Sequence, residues 1–176
     1  MSNKLMPEVV QAANVYLQSS ELYGISDVQL PPFEATIASI SGGGIAGKVD
    51  VAVKGIFESM VLALSNWTTV SDSLRLIMEP KTHEVEVYAS LQEKNVVSGD
   101  IEDIQLYIFV KGRPKTVDPG KLVMGEAAEG SVEIEVDYIK IERDGVEIVE
   151  LDKYNWIYRV NGTDYLQKVR QNLGKG

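Results

Sequence analysis

The chain has 176 residues, of which 44% are hydrophobic, and a formal net charge of −9. This length and composition predict one globular domain with a buried core. The charge excludes nucleic-acid binding by phosphate neutralisation, which needs a clustered basic surface. The absence of cysteine excludes disulfides and thiolate chemistry, and no apolar run of about 18 residues is present to span a membrane. The N-terminal residues lack the apolar core of a secretory signal, which predicts synthesis in the cytoplasm.

The first half of the chain predicts a series of strands. Apolar residues alternate with polar ones in several runs, and the first run places Val15 and Leu17 on one face. The predicted strands cover residues 12–18, 28–30, 33–40, 49–53 and a long apolar stretch at 57–67.

Residues 41–48 contain four glycines and predict the most flexible segment of the chain. Glycine permits unusual backbone angles and raises the entropic cost of ordering. We therefore predict a flexible arm at about 41–50 that is ordered by something outside the folded core.

One internal helix is predicted to begin at Ser71, which can cap it, with Asp72 in the favourable first turn. Leu74, Ile77 and Met78 then fall on one face, and Pro80 ends the helix. A strand at residues 85–89 follows, then a polar turn at 93–99 and an antiparallel partner strand at 104–111. Residues 114–130 predict a loop.

The last third predicts a strand, a hairpin, a second strand and a short helix at residues 165–173. Asp144-Gly145 between two strand patterns is a strong signal for a two-residue hairpin turn. This turn predicts the cross-strand pairs Ile141–Ile148 and Tyr138–Leu151. The apolar phase shifts between Tyr138 and Ile139, which indicates a bulge or a strand covered on different faces at its two ends.

The same hairpin places Glu142 opposite Glu147, and a pair of like charges is mildly destabilising. Two explanations are open. Lys140 or Arg143 relieves the repulsion diagonally within the chain, or a neighbouring chain supplies the positive charge.

These elements predict a mainly β fold, an antiparallel β-sandwich or closed barrel with one flanking short helix and a C-terminal helix. Residues 1–176 are predicted to form a single domain.

Two sequence features resemble functional sites, a phosphate-binding loop and a zinc ligand, but neither has the residues that such a site requires. Gly42 to Lys48 match the G-x-x-x-x-G-K part of a phosphate-binding loop, but residue 49 is Val, so no hydroxyl is available for magnesium. Residues 49–53 alternate like a strand, whereas such a loop needs a helix N-terminus. His83 is the only histidine, and a histidine-based zinc site needs two or three. We predict His83 to be a strand-end side chain on the face of Val85.

Carboxylates alternate along two predicted strands, as Glu84 and Glu86 and as Glu133, Glu135 and Asp137. This alternation is typical of the solvated face of a sheet. We therefore predict no catalytic residue, no metal and no cofactor. A small β-barrel enzyme or ligand-binding domain is the alternative from another class, because barrels can hold pockets.

One ordered set of motif residues runs through the segment from Val110 to Gly174. Its members are Lys111-Gly112-Arg113, Lys115, Asp118, Gly120, Gly125-Glu126, Glu129, Tyr138, Asp144-Gly145-Val146-Glu147, Glu150, Asp152, Asn155, Ile157, Val160-Asn161-Gly162, Asp164, Leu166, Arg170, Asn172 and Gly174. In the order and spacing of these residues the sequence resembles the major tail tube proteins of phages with long contractile tails, and of related contractile bacteriocins. Upstream, Leu30-Pro31 and residues 42–47 are similar to the same family.

The resemblance implies a structural protein of the virion tail, without catalysis. It implies hexameric rings that stack into a hollow tube inside a contractile sheath, with the strands of six subunits joined into one inner barrel. The implied partners are further copies of the chain, the sheath protein, and baseplate and tail terminator proteins. DNA would pass through the lumen without specific binding, and no membrane is involved. A tube subunit of a contractile bacteriocin or secretion-like injection particle, without DNA cargo, is the alternative within this class.

Two sets of residues are predicted contacts between subunits or rings. The arm is expected to order against the neighbouring ring, and the like-charged pair Glu142 and Glu147 is expected to meet another subunit. If part of the charge of −9 lies on the lumen, the wall would repel DNA and let it slide. The arm residues are Gly42, Gly43, Gly44, Ile45, Ala46, Gly47 and Lys48.

Overall fold

The computed structural model describes residues 5–18, 20–22, 27–67, 72–126 and 128–175. These residues form antiparallel strands and two short helices, which confirms the predicted fold class. In chain order the strands are β1 (Leu5–Leu17), β2 (Ser20–Leu22), β3 (Asp27–Gln29), β4 (Ala35–Ser41), β5 (Lys48–Phe57), β6 (Val61–Trp67), β7 (His83–Asn95), β8 (Ile101–Asp118), β9 (Gly130–Arg143), β10 (Val146–Asp152), β11 (Ile157–Val160) and β12 (Thr163–Asp164). The helices are α1 (Asp72–Ile77) and α2 (Gln167–Asn172).

Strand β9 organises the large sheet, whose order is β12-β11-β10-β9-β8-β7-β1-β2. One edge of β9 pairs with β8 along its length. The other edge pairs with β6 up to Glu135 and with β10 from Tyr138 onward. Tyr138 lies opposite Lys111 while Val136 lies opposite Gly112, so Asp137 is the extra residue of a bulge. The bulge predicted from the phase shift is therefore present, and β9 changes partners at this point.

The sheet curls over one hydrophobic core. Leu17 of β1 and Leu62 of β6 belong to the same buried cluster, although three strands separate β1 from β6 in the sheet. Ile77 of α1 closes the same cluster. The alternation of β7 is a clear example of the pattern, since Val85 and Val87 are buried while Glu84 and Tyr88 are exposed.

Strands β4 and β5 form a separate two-stranded sheet. Their register pairs Ile40 with Val49 and Ser41 with Lys48, so the glycine-rich segment is the turn of this hairpin. A hydrogen bond from the Glu58 amide to the Glu34 carbonyl, 2.9 Å long, closes its base.

The predicted strand at 57–67 was wrong at its start. β5 ends at Phe57, and β6 begins only at Val61. The intervening Met60 is buried and accepts a hydrogen bond from the Val136 amide at 2.8 Å. The chain therefore crosses from one sheet to the other at residues 58–60, where the polar Glu58 and Ser59 interrupt the apolar stretch.

The predicted loop at 114–130 was wrong at its N-terminal end, where β8 continues to Asp118. Pro114 is tolerated there because β7 pairs with β8 only as far as Gly112, which leaves the far edge of β8 without a partner strand among the described residues. The predicted turn at 93–99 was also too long, since β7 continues to Asn95 and Glu93 is buried.

The internal helix was predicted at the correct place in the chain, but one residue of its predicted apolar face, Met78, does not belong to the helix. Helix α1 ends at Ile77, and Met78 lies in the following turn with its side chain 61% exposed. The proposed capping residue, Ser71, lies outside the described residues. At the C-terminus, α2 is confirmed within the range predicted for the last helix.

Candidate assembly surfaces

The arm residues form the tip of the β4–β5 hairpin. The Ile45 amide donates to the Gly42 carbonyl at 3.0 Å, and the Gly47 amide donates to the Ile45 carbonyl at 3.0 Å. Gly42, Gly44 and Gly47 all have positive φ, which explains why this turn is built from glycine. The strands reach Ser41 on one side and Lys48 on the other, so only residues 42–47 form the turn.

The hairpin exposes apolar side chains on both of its faces. Ile37 is 62% exposed on one face, and Ile40, Val49 and Val51 are exposed on the other. Neither outer edge of this hairpin has a partner strand among the described residues. A lone two-stranded hairpin is only marginally stable in water. The open hydrogen-bonding edges and the exposed apolar side chains of the β4–β5 hairpin are therefore surfaces at which a partner could stabilise it.

Strand β1 provides a second open edge. Its inner edge pairs with β7 from Leu5 to Leu17, but on the outer side β2 covers only Val15 to Leu17. Residues 5–14 therefore present an outer edge with no partner strand in the described part of the chain. Met6, Val9 and Val10 along this edge are exposed. Long exposed edges of this kind are sites for pairing with another chain.

An apolar groove of about 300 Å³ lies beside that edge. Val10 and Ala13 of β1, Leu91 of β7 and Leu106 of β8 line one side, and Val28 of β3 lines the other. The groove and the open edge together form a continuous surface suited to an added strand. No sequence pattern predicted this surface, because Pro7 interrupts the apolar alternation at the start of β1 and the first strand was expected only from residue 12.

The pair Glu142 and Glu147 lies directly across the β9–β10 hairpin, as predicted. Lys140 Nζ lies 2.5 Å from Glu142 Oε1, and this hydrogen bond raises the pKa of Lys140 above its usual value. Arg159 of β11 lies 3.6 Å from Glu147. Relief by Lys140 within the chain is thus confirmed. Arg143 does not take part, because it pairs with Glu93 instead.

Two other cross-strand pairs predicted at this hairpin were wrong. A bulge at Ile148 shifts the register by one residue, so that Ile141 lies opposite Val149 and Leu151 lies opposite Ile139. The Asn161 amide donates to the Ile148 carbonyl at 3.0 Å, which ties the bulge to the turn after β11.

The acidic row of β9 is largely compensated within the chain. Lys115 and Lys153 lie 3.5 and 3.9 Å from Glu135, and Arg113 lies 3.8 Å from Asp137. Burial opposes the ionisation of Glu135, but a hydrogen bond from Ser59 and the two lysines outweigh it and lower its pKa. This row is therefore not the freely solvated face that its alternation predicts.

The structure gives His83 a structural role. The ring is fully buried at the start of β7. Its Nε2 lies 3.0 Å from the Glu79 carbonyl oxygen, and its Nδ1 lies 3.5 Å from the Gln18 amide nitrogen. Within the described residues there is no group of His, Asp and Glu side chains arranged for a metal. None of the described helices has the length and apolar character needed to cross a bilayer.

The fold is similar to a chain in the cryo-EM structure of the sheath/tube terminator of an extracellular contractile injection system, PVC, in the extended state. That match has a TM-score of 0.53 at 10% identity and covers 78% of this chain and 97% of that chain. The sequence is 27% identical over 173 residues to the tail tube protein of Escherichia phage P2, covering 96% of this chain and 98% of that protein.

The family model described as phage tail tube protein FII matches residues 7–174. The chain therefore belongs to the phage tail tube protein FII family, and it is a structural tail tube protein of the contractile type. The resemblance found in the sequence is confirmed.

Proposed function

We propose that this chain forms hexameric rings that stack into the inner tube of a contractile tail, and that the tube conducts phage DNA during ejection. The observation that carries the proposal is the open outer edge of β1 at residues 5–14, beside an apolar groove. A β-rich chain with such an edge is an aggregation hazard as a monomer, and a closed ring removes the edge.

The ring uses a head-to-tail contact in which each copy offers its β1 edge to its neighbour. A strand added there satisfies backbone groups of residues 5–14 and covers Val9 and Val10. The β4–β5 hairpin then reaches the adjacent ring, where its exposed Ile37 and Val51 become buried. In this proposal Gly42 to Lys48 at its tip are an inter-ring contact, and Glu142 and Glu147 lie close to a neighbouring subunit.

The remaining partners follow from the family. The sheath protein would surround the tube, terminator and baseplate proteins would contact its two ends, and DNA would pass through without specific binding. The net charge of −9 supports a wall that repels DNA. An electron cryo-microscopy reconstruction of the tube should show an acidic bore, and a neutral or basic bore would contradict this part of the proposal.

The direct test is negative-stain electron microscopy of the purified protein. Wild-type protein should form hollow tubes, and a variant lacking residues 42–48 should stay folded but form no tubes. Val97→Asp is the matched control, because Val97 is also exposed but lies in the β7–β8 turn, outside the arm. Ordinary tubes from the deletion variant would rule out the arm contact, whereas a wild-type protein that never assembles would count against the tube itself.

A tube without DNA cargo, as in a contractile bacteriocin or injection particle, is the second candidate. The similarity of the fold to a chain of an extracellular contractile injection system favours it. Intact particles separate the two: nuclease-protected DNA in particles that contain this tube supports the phage tail, and its absence supports the injection particle. A stable monomer whose melting temperature rises with a small ligand would support a binding domain instead.

A further inference from the structure

The outward face of the large sheet places the carboxylate of Glu86 among several aromatic rings. Glu86 of β7 lies directly opposite Tyr16 of β1 on one side and Phe109 of β8 on the other. Two residues along β7, Tyr88 lies opposite Tyr107. We call these four aromatic residues and Glu86 the aromatic patch.

The rings of the patch contact one another and enclose the carboxylate. The centroids of Tyr16 and Tyr88 are 5.5 Å apart, and those of Tyr88 and Tyr107 are 4.8 Å apart. The hydroxyls of Tyr88 and Tyr107 donate to Glu86 Oε2 at 2.9 and 3.3 Å. These hydrogen bonds fix the carboxylate and leave Oε1 free of donors among the described residues.

Glu86 also lacks a cation. Within the described part of the chain it forms no ion pair, whereas the neighbouring Glu84 is paired with Lys111 at 2.7 Å. A carboxylate oriented by hydroxyl groups and bordered by ring faces is suited to an ammonium or guanidinium group, which gains both a charge-assisted hydrogen bond and cation–π contact. Lys111 already shows such contact at the edge of the patch, with Nζ 5.3 Å from the Phe109 centroid.

We propose that the aromatic patch binds an arginine or lysine side chain from a basic segment of a second protein. The occupant is assigned to a different, basic protein because this chain is acidic, with a net charge of −9, and such a charge complements a basic segment. Most of its own Lys and Arg side chains are already held in ion pairs. The site does not depend on tube assembly, so it can be tested on the unassembled protein.

The probe is a short arginine peptide, compared with a citrulline peptide of the same length that lacks the charge. Isothermal titration calorimetry on the full chain should show saturable binding of the arginine peptide only. Glu86→Gln should weaken that binding about tenfold, the loss typical of a hydrogen bond to a charged group. Tyr88→Leu should weaken it as well, while Tyr107→Phe, which keeps the ring and frees Glu86 from one donor, should leave it intact.

Asp103→Asn is the matched control, because it removes one charge from the same face of the sheet away from the rings. It should change the affinity less than about twofold, as expected for an exposed charge. Equal losses from Asp103→Asn and Glu86→Gln would show general attraction to an acidic protein and overturn the proposal. Equal binding of the citrulline peptide, or no saturable binding, would do the same. Binding that vanishes when the protein assembles into tubes would assign the patch to contacts between copies, also against the proposal.

Discussion

Glu93 is unusual among the residues that face the core, because it carries a carboxylate and is only 1% exposed. It lies on the buried face of β7, and Arg143 at the end of β9 reaches it with Nη2. The arginine keeps part of its surface in water, so it neutralises the buried charge without being fully buried itself. The pair joins the ends of two strands that are not adjacent in the sheet.

Removing the arginine should therefore cost more than removing any exposed ion pair. Arg143→Leu leaves Glu93 buried and unpaired, and we expect a loss of about 3 kcal/mol in the free energy of unfolding, measured by urea denaturation. Lys121→Gln, which breaks exposed ion pairs with Glu126 and Glu129, should change it by less than about 0.5 kcal/mol. Adding Glu93→Gln to Arg143→Leu should recover part of the loss, and no recovery would argue against the charge as its cause.

The structure explains why glycine occupies position 112, one of the residues that match the family pattern. A Cβ at this position would lie 2.2 Å from the carbonyl oxygen of Glu135. The close approach occurs at the bulge where β9 changes partners, so no other residue fits without moving the backbone. Gly112 of the Lys111-Gly112-Arg113 motif thus marks the bulge at which β8 and β9 come closest.

At the scale of elements, α2 is held by hydrogen bonds from a partly buried arginine rather than by fully buried residues of its own. Among its described residues none is buried, and Leu166, which precedes it, supplies no side-chain cap. Arg170 instead donates to Asp164 at 2.6 Å and to the Trp156 carbonyl at 2.8 Å. The helix is therefore attached to the sheet mainly through one arginine and through the buried Leu166.

This attachment should depend on pH. The hydrogen bond from Arg170 lowers the pKa of Asp164 below its ordinary value of 3.8. Because the folded-state pKa is depressed, the stabilisation is fully present above the ordinary value and is lost as the pH falls through the folded-state value. Amide exchange of residues 167–173 should accelerate in that acid range relative to the sheet. Arg170→Met should remove this pH dependence, and unchanged behaviour in that variant would contradict the assignment.

At the scale of the whole molecule, the outer edge of β1 and the β4–β5 hairpin are open surfaces in the described part of the chain. Both present backbone hydrogen-bonding groups together with exposed valine or isoleucine side chains. They are distinct surfaces, so a ring contact and an inter-ring contact can be disrupted separately.

Charges placed on the β1 edge should block ring formation. We expect Val9→Lys with Val10→Lys to give a folded protein, because both side chains are already exposed, but one that sediments as a monomer, since lysine on an edge strand opposes pairing. Analytical ultracentrifugation and the melting temperature report assembly and folding. Val97→Lys serves as the control. Rings of ordinary size from the double variant would exclude this edge as the ring contact.

The sequence predicted the local elements well where a turn or an alternation specifies them. Asp144 and Gly145 both have positive φ, as their hairpin turn requires. The bulge near Tyr138 was indicated in the sequence by a shift in the phase of the apolar alternation. The strand expected after the glycine-rich segment is confirmed, since β5 begins at Lys48 and residues 42–47 form the turn between two strands. The β10 register was wrong because the bulge at Ile148 depends on a hydrogen bond from Asn161, which no local pattern reveals.

The sequence by itself determined the family, through its motif residues, and the antiparallel β class, because turn residues and alternation are local properties. Only the tertiary structure decided which strands lie side by side. The partner change of β9, the pairing of Glu93 with Arg143, the open edge of β1 and the rings around Glu86 all join residues far apart in the chain. The alternation of apolar and polar residues along a strand shows which side chains share a face of the sheet, but it does not show which strand lies beside it.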